Sequence, residues 1–429
     1  MINSAPAYNL KVVLKETGLA ADTLRAWERR YGLPAPQRSA GGHRLYSQRD
    51  IETIKWLMAR QAEGLSISRA VDLWKEKTAS GADLLADSVK PNLISLPANT
   101  LEAVRREWIS ACMSFNETTA EQILNQAFAL YPLETVCTDV LQTSLREIGE
   151  SWYRNEATVQ QEHFASALVH RKLDSLIAAA PQPTRPQTVL IGCTPGEQHF
   201  FPPQLLTLLM RRRGLPVIYL GADVPLAQFD ETLKQVKPAL VVLCAQQLHT
   251  AGQLYAVAQH LVGSRIQTAY GGRIFNTLPE LRRKIPAHFL GETIADALIN
   301  IEKLLVSKVS APKMEAPSKQ DAEFAGHFRF NRSMIDVYTT TEASRMGLPL
   351  QYMYTAIQYL DDNLESVILL GNLDALKSEL DWVRGLMQQH HVNRSTLNPF
   401  LSIYARSVKK AMGPSGRDVF NWLIKQANE

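Results

Sequence analysis

Residues 188–213 read TVLIGCTPGEQHFFPPQLLTLLMRRR and decide the fold of the middle of the chain. Thr188–Ile191 is typical of a buried strand, and a loop separates it from the apolar-periodic helix Gln204–Arg213. Five such strand–helix units follow one another up to residue 305. Strict alternation of this kind predicts a parallel, doubly wound α/β sheet of the flavodoxin-like type over residues 184–305. Ligands of such sheets bind at the loops that follow the carboxyl ends of the strands.

The first of these loops carries a histidine where a nucleotide-binding protein would carry glycines. It matches neither the GxGxxG pattern nor a P-loop, so a nucleotide is not indicated. Its His199 is suited to axial metal ligation, and the carboxylate of Glu197 is near enough in sequence to hold the other ring nitrogen. The alternative is an ordinary loop histidine. A Gly271-Gly272 pair follows the fourth strand.

Helical periodicity fills the chain on both sides of this sheet. Residues 101–183 predict a four-helix bundle, in which Trp152 precedes Glu162-His163 with nine residues between them. Residues 78–100 and 306–323 are small, polar and proline-containing, which predicts linkers. Residues 324–429 predict a second helical bundle without a chemical motif, for which oligomerisation or binding of a protein partner is the expected role.

Basic charge is concentrated near the amino terminus. Glu28 is the only acid within a cluster of six arginines, Arg25, Arg29, Arg30, Arg38, Arg44 and Arg49, and His43 lies in the same window. Two short helices around Gly18 are followed by a hairpin with its turn at Gly41-Gly42. This order predicts a winged helix-turn-helix over residues 1–77, with the arginines facing nucleic acid. Trp27 is expected in the core of this head.

The composition excludes several classes of protein. The chain has 429 residues, of which 45% are hydrophobic and 21% charged, so two to four globular domains are expected rather than a disordered or fibrous protein. No apolar run is long enough to cross a bilayer, and the first residues resemble no signal peptide. A soluble, cytoplasmic protein without a membrane partner is expected. The four cysteines are widely spaced, so neither a disulfide framework nor a cysteine zinc site is expected.

The head resembles the MerR family of winged-helix regulators. The resemblance lies in the run Thr23–Leu33, in Gly42-His-Arg-Leu-Tyr46 and in Asp50-Ile51, and it covers roughly residues 8–76. It implies that Arg25, Arg29 and Arg30 enter the major groove of double-stranded operator DNA. It also implies that the hairpin contacts the DNA backbone, through Arg38, His43, Arg44 and Tyr46.

The bundle and the sheet together resemble cobalamin-binding modules, and the W-x9-EH spacing resembles that of the light-sensing repressors of the CarH and LitR type. The resemblance implies bound adenosylcobalamin, with His199 coordinating cobalt through Nε2 and Glu197 holding the other ring nitrogen. It places Gly271 and Gly272 beside the nucleotide tail and Trp152, Glu162 and His163 at the upper axial group. Two positions depart from the sequence pattern of these cobalamin-binding modules. Pro202 lies where the modules have a glycine, and Cys244 lies where they usually have a serine.

Three functions follow from these features. The leading one is a transcriptional regulator, most simply a repressor and photoreceptor, that binds operator DNA as a dimer or tetramer and responds to adenosylcobalamin and light. In the alternative, the cobalamin-type module binds a protein antirepressor or another signal without cofactor, which the departures at Pro202 and Cys244 favour. A cobalamin-dependent methyltransferase or mutase would need a large substrate domain that residues 324–429 do not provide, so no enzyme is expected.

Overall fold

Two units, residues 1–97 and 98–429, make up the chain. The computed structural model describes residues 5–38, 42–62, 65–79, 100–264, 266–307, 318–348, 353–390 and 396–428, with positions 309, 312, 314 and 315 between them. The predicted linker 78–100 lies almost wholly outside the described residues, as does Gly41 of the predicted hairpin turn.

The described residues of the first unit form four helices and a small antiparallel sheet of order β1-β3-β2. Leu24 and Trp27 lie in its core, which confirms the expectation for Trp27. The first two helices end at Gly18 and Gly32, each in the left-handed conformation that glycine adopts without strain. The elements are β1 (Tyr8–Asn9), α1 (Leu10–Thr17), α2 (Ala21–Tyr31), β2 (Gln37–Arg38), β3 (Arg44–Tyr46), α3 (Gln48–Ala62) and α4 (Ile67–Ala79).

The second unit begins with the predicted helical segment. Thr100 caps its first helix, and Thr158 and Gln161 form a capping box at its last. A π-helical stretch, Val136–Gln142, continues into the helix that carries Trp152. The helices are α5 (Leu101–Met113), α6 (Glu117–Leu130), α7 (Leu133–Thr135), α8 (Thr143–Tyr153) and α9 (Val159–Ala178).

A five-stranded parallel sheet of order β5-β4-β6-β7-β8 follows, which confirms the predicted parallel α/β sheet. Its central strands β4 and β6 are buried along their whole length, as the apolar runs predicted. The crossover after β7 is a short helix and a 3-10 turn, Pro279–Lys284, rather than a full helix. The elements are β4 (Val189–Cys193), α10 (Phe201–Arg212), β5 (Val217–Tyr219), α11 (Phe229–Val236), β6 (Leu240–Cys244), α12 (Leu248–Leu261), β7 (Gln267–Gly271), α13 (Ile274–Thr277), β8 (His288–Phe289) and α14 (Ile294–Val306).

The C-terminal helices pack onto the sheet domain. Their first helix begins at Lys319, within the predicted linker 306–323, because Ser318 and Asp321 form a capping box there. Buried residues of α12 and of the C-terminal helices belong to one continuous hydrophobic core. The domain boundaries predicted here, a linker over residues 306–323 and a helical domain over residues 324–429, stay predictions. The helices are α15 (Lys319–Arg345), α16 (Met353–Leu369), α17 (Leu376–Gln389), α18 (Leu397–Met412) and α19 (Arg417–Asn428).

Among the described residues, no helix combines the length and apolar character that a membrane crossing requires. All four cysteines, Cys112, Cys137, Cys193 and Cys244, are buried and unpaired.

Candidate functional site

Helix α2 of the first unit carries exposed positive charge. Arg25, Arg29 and Arg30 are exposed, while Leu24 and Trp27 are buried on the face opposite Arg25 and Arg29. The Arg25 guanidinium is half exposed and lies 3.5 Å from the Asp22 carboxylate. A solvent-exposed ion pair of this kind contributes little stability, so phosphate or base contacts can replace it readily.

The hairpin β2–β3 presents a second basic group. Arg38 is exposed, and its guanidinium donates to the carbonyl oxygen of Gly42 at 3.3 Å. His43 is exposed and directly precedes β3. The Arg44 guanidinium is turned toward α2, where its Nε donates to the Glu28 carboxylate at 2.9 Å. Arg44 therefore joins the hairpin to the helix, and only part of its side chain remains accessible.

Tyr46 is a correction to the predicted DNA-binding set. Its side chain is fully buried, and its hydroxyl donates to Oε1 of Glu28 at 2.5 Å. Burial, together with the neighbouring Glu28 carboxylate, raises the pKa of the Tyr46 hydroxyl above its ordinary range. Tyr46 thus belongs to the core of the head, and its hydroxyl is not available to a DNA backbone in this arrangement. Glu28, the lone acid of the basic cluster, orders the hairpin.

In the second unit, Glu197 and His199 lie on the loop between β4 and α10, as the sequence predicts. The His199 side chain is 59% exposed, whereas that of Glu197 is 0% exposed. Oε1 of Glu197 accepts hydrogen bonds from the backbone N–H and from Nδ1 of His199, both at 2.8 Å. In the neutral imidazole whose Nδ1 donates to Glu197, Nε2 has a lone pair and is directed away from Glu197.

The carboxylate of Glu197 is also held from the next loop of the sheet. Its Oε2 accepts from the backbone N–H of Gln246 at 2.6 Å and from the Thr250 hydroxyl at 2.7 Å. Burial alone would raise the pKa of Glu197, but the hydrogen bonds from His199, Gln246 and Thr250 outweigh it and hold the pKa at about 2. Glu197 is therefore ionised at neutral pH and fixes the orientation of the imidazole.

The glycine pair after β7 permits a close approach of two loops. Gly272 has φ +142°, and a Cβ atom there would lie 1.7 Å from the carbonyl oxygen of Ala245. A Cβ at Gly271 would meet nothing within 4 Å. The side chain of Gln246 is held within the loops, where it accepts a hydrogen bond from Arg273 N–H and donates one to Cys244 Sγ.

The start of helix α10 tolerates the proline at position 202. The helix begins at Phe201 with prolines in its first turn, where a missing N–H leaves no hydrogen bond unmade. Phe200 stacks on His170 of α9 with ring centroids 4.0 Å apart, and the His170 ring is hydrogen-bonded to Gln204 at 2.6 Å. These contacts join the helical segment to the sheet beside His199.

Trp152, Glu162 and His163, which the resemblance places at the upper axial group, have contacts away from the Glu197–His199 loop. Glu162 accepts from the Ser166 hydroxyl at 2.7 Å, and the adjacent His163 side chain is 75% exposed. Trp152 lies against the C-terminal helices, with its ring centroid 6.4 Å from that of Trp382 and 5.8 Å from that of His390. The structure therefore groups Glu197, His199 and the glycine pair at one edge of the sheet, and it places Trp152 in an aromatic cluster that no sequence motif predicts.

Comparisons with known proteins match both units. Residues 8–77 match the MerR HTH family regulatory protein model, and residues 104–177 match the model of a B12 binding domain. The HTH-type transcriptional repressor CarA of Myxococcus xanthus is 33% identical over 242 residues, which are 54% of this chain and 75% of that protein. The repressor CarH of the same organism is 29% identical over 242 residues, or 55% of this chain and 78% of that protein. The trimethylamine corrinoid protein of Methanosarcina barkeri is 24% identical over 206 residues, or 46% of this chain and 93% of that protein.

Proposed function

The chain belongs to the family of MerR-type transcriptional regulators with a cobalamin-binding module that includes the repressors CarA and CarH, and we propose that it represses transcription under the control of adenosylcobalamin and light. The observation that carries the proposal is the pairing of the Glu197 carboxylate with Nδ1 of His199, which leaves Nε2 free to accept a metal. The family matches favour this function over recognition of a protein antirepressor without cofactor, and they favour regulation over catalysis.

The head binds operator DNA as a winged helix-turn-helix in this proposal. Helix α2 is held by its buried Leu24 and Trp27, so its exposed Arg25, Arg29 and Arg30 are presented together. Guanidinium groups exposed on a helix suit the acceptors of guanine in the major groove. The hairpin adds the backbone contacts, for which the exposed Arg38 and His43 and the partly accessible Arg44 are the candidates.

The edge of the sheet fits cobalamin. A buried, ionised Glu197 holds the imidazole proton at Nδ1 of His199, and such a carboxylate raises the basicity of a metal-binding histidine. Gly272 keeps the second loop free of a side chain that would separate it from Ala245. When bound, adenosylcobalamin supplies a cobalt–carbon bond that light breaks.

The upper face of the ligand is assigned to Trp152, Glu162 and His163 on the W-x9-EH motif. Within the second unit we retain the predicted boundaries of the bundle (101–183) and of the sheet domain (184–305). A change at the ligand reaches DNA only if the two ligand states differ in their contacts with these parts. We therefore propose that the chain forms a dimer or tetramer on DNA whose assembly depends on those contacts.

The test is the visible spectrum of the full chain purified after incubation with adenosylcobalamin in darkness, measured before and after green light. The expected result is retained pigment whose spectrum changes on illumination, together with loss of operator binding in a gel-shift assay. His199→Ala should weaken retention, whereas His260→Ala, which removes an exposed histidine paired with Asp230 at 2.9 Å, should not. A colourless wild-type chain that still binds its operator would refute the cobalamin part of the proposal.

A further inference from the structure

The C-terminal helices contact the helix that carries Trp152. The Trp152 ring lies between Trp382 of α17 and His390, which follows α17 directly. Nε2 of His390 is 3.0 Å from the backbone carbonyl oxygen of Trp152, so the imidazole donates to it. This hydrogen bond ties the last turn of α8 to the end of α17.

The next residue of α8 strengthens the same contact. The Tyr153 ring lies 5.7 Å from that of Trp382, and its hydroxyl donates to the Trp382 carbonyl oxygen at 3.4 Å. On α17, a Cβ at Gly385 would lie 1.9 Å from the Tyr153 hydroxyl oxygen. A side chain at position 385 would therefore displace the Tyr153 hydroxyl from its place against α17.

A second contact joins the C-terminal helices to α12 of the sheet domain, beside the Glu197–His199 loop. The Ser366 hydroxyl of α16 donates to the carbonyl oxygen of His249 at 2.7 Å. A Cβ at Gly252 of α12 would lie 2.7 Å from the Cα of Ser366, so the two helices touch along their backbones. His249 directly precedes Thr250, whose hydroxyl donates to Glu197. The C-terminal helices therefore contact both the helix of Trp152 and the first turn of the helix that orients Glu197.

We propose that the C-terminal helical domain positions the upper face of the cobalamin site, with Trp382 and His390 as positioning residues that set the place of the Trp152 indole. The contact at Ser366 fixes the same domain to the sheet, so the position of Trp152 relative to the Glu197–His199 loop depends on it. A ligand that displaces Trp152 must also displace α17, which makes this domain responsive to the upper axial group. The part that concerns cobalamin rests on the proposed function, whereas the contact itself does not.

The test compares Trp382→Ala with a matched control in the full chain. Trp422→Ala removes another tryptophan of the C-terminal helices, one whose Nε1 donates to Asp374 at 2.9 Å within the same domain. Hydrogen exchange without ligand should become faster for residues 143–153 in Trp382→Ala, by about three- to tenfold, as expected for the loss of an aromatic contact. Trp422→Ala should leave the exchange of this helix unchanged. Gly385→Ala should act like Trp382→Ala, since its Cβ would push against Tyr153.

Affinities for two corrinoids separate positioning from mere stability. Trp382→Ala should weaken binding of adenosylcobalamin about three- to tenfold and leave hydroxocobalamin unchanged, because only the first carries a bulky upper group. Equal losses for both corrinoids, or unchanged exchange in residues 143–153, would overturn the proposal. If the wild-type chain binds neither corrinoid, the proposed function fails, and the exchange comparison alone decides whether Trp382 positions Trp152.

Discussion

Replacing Glu197 with glutamine should loosen the carboxyl edge of the sheet. The carboxylate accepts four hydrogen bonds, from His199 N–H and Nδ1, from Gln246 N–H and from the Thr250 hydroxyl. A glutamine amide retains one acceptor oxygen, and its NH2 group faces donors on the other side. Two hydrogen bonds to a charged group are lost, and each contributes about 1.5–3 kcal/mol. Relief of the cost of burying the charge offsets part of this, so we expect a loss of about 3 kcal/mol.

The pKa of Glu197 leads to a similar magnitude. The folded-state pKa is lowered from 4.5 to about 2, which corresponds to about 3 kcal/mol of stabilisation. Because the pKa is depressed, this contribution is fully present above pH 4.5 and is lost as the pH falls toward 2. The wild-type sheet should therefore lose stability in that range of pH, whereas Glu197→Gln should lack this part of the pH dependence.

Hydrogen exchange read by mass spectrometry is the appropriate assay, because a chain of several domains does not unfold in two states. Exchange in β4 and β6 should accelerate about a hundredfold in Glu197→Gln at neutral pH, the equivalent of about 3 kcal/mol. His199→Ala is the matched comparison, since it removes only the Nδ1 hydrogen bond and leaves the carboxylate with the backbone N–H groups of residues 199 and 246 and with the Thr250 hydroxyl. Exchange in β4 and β6 should therefore accelerate less in His199→Ala than in Glu197→Gln. Exchange in β4 and β6 that stays at the wild-type rate in Glu197→Gln would refute the argument.

Three further predictions concern other parts of the chain. Gly272→Ala should destabilise the sheet edge by about 2–4 kcal/mol in the same exchange assay, because its Cβ would lie 1.7 Å from the carbonyl oxygen of Ala245. Gly271→Ala should destabilise this edge far less, since its Cβ would meet nothing within 4 Å. Equal losses of stability in the two variants would contradict this account. Arg25→Ala should weaken operator binding by about 1–3 kcal/mol in a fluorescence anisotropy titration, while Arg69→Ala on α4 should not, and an unchanged isotherm would remove Arg25 from the DNA-reading surface. Burial, along with a second carboxylate nearby, raises the pKa of Asp361 to about 8, so the protection of α16 and α18 against hydrogen exchange, corrected for the intrinsic exchange rate, should fall as pH rises toward that value. Asp361→Asn should abolish this trend, and protection that rises over this range in the wild type would show the opposite sign.

The fold of the sheet domain was predictable because its signals are local. Apolar runs followed by amphipathic helices mark each unit along the chain, and the structure has the predicted parallel sheet. The pairing of Glu197 with His199 could also be predicted from the sequence, since the two residues lie on one loop. Helix α10 begins at Phe201, three residues before the predicted Gln204, because the first turn of a helix accommodates proline.

The partners of these residues were not predictable, because they come from distant parts of the chain. Thr250 and Gln246 reach Glu197 only once β4 and β6 lie side by side, and nothing in their local sequence indicates that contact. Tyr46 belongs to a sequence motif of a DNA-binding head, but its burial depends on packing against Glu28. A lone acid among arginines was the signal that such an internal partner existed.

The docking of the C-terminal helices had no signal of its own. Trp382 and His390 lie in a region without a motif, and their contact with Trp152 joins positions more than two hundred residues apart in sequence. Periodicity predicts which face of a helix is apolar but does not predict which surface will cover it.

Electron paramagnetic resonance of the full chain loaded with the paramagnetic, singly reduced corrinoid tests the central claim most directly. If Nε2 of His199 binds cobalt, the nitrogen splitting of the cobalt signal should change from triplets to doublets when the histidines alone carry the heavy nitrogen isotope. The change should be absent in His199→Ala and present in His260→Ala. A wild-type signal that keeps its triplets after labelling would show that no histidine of this chain coordinates the metal.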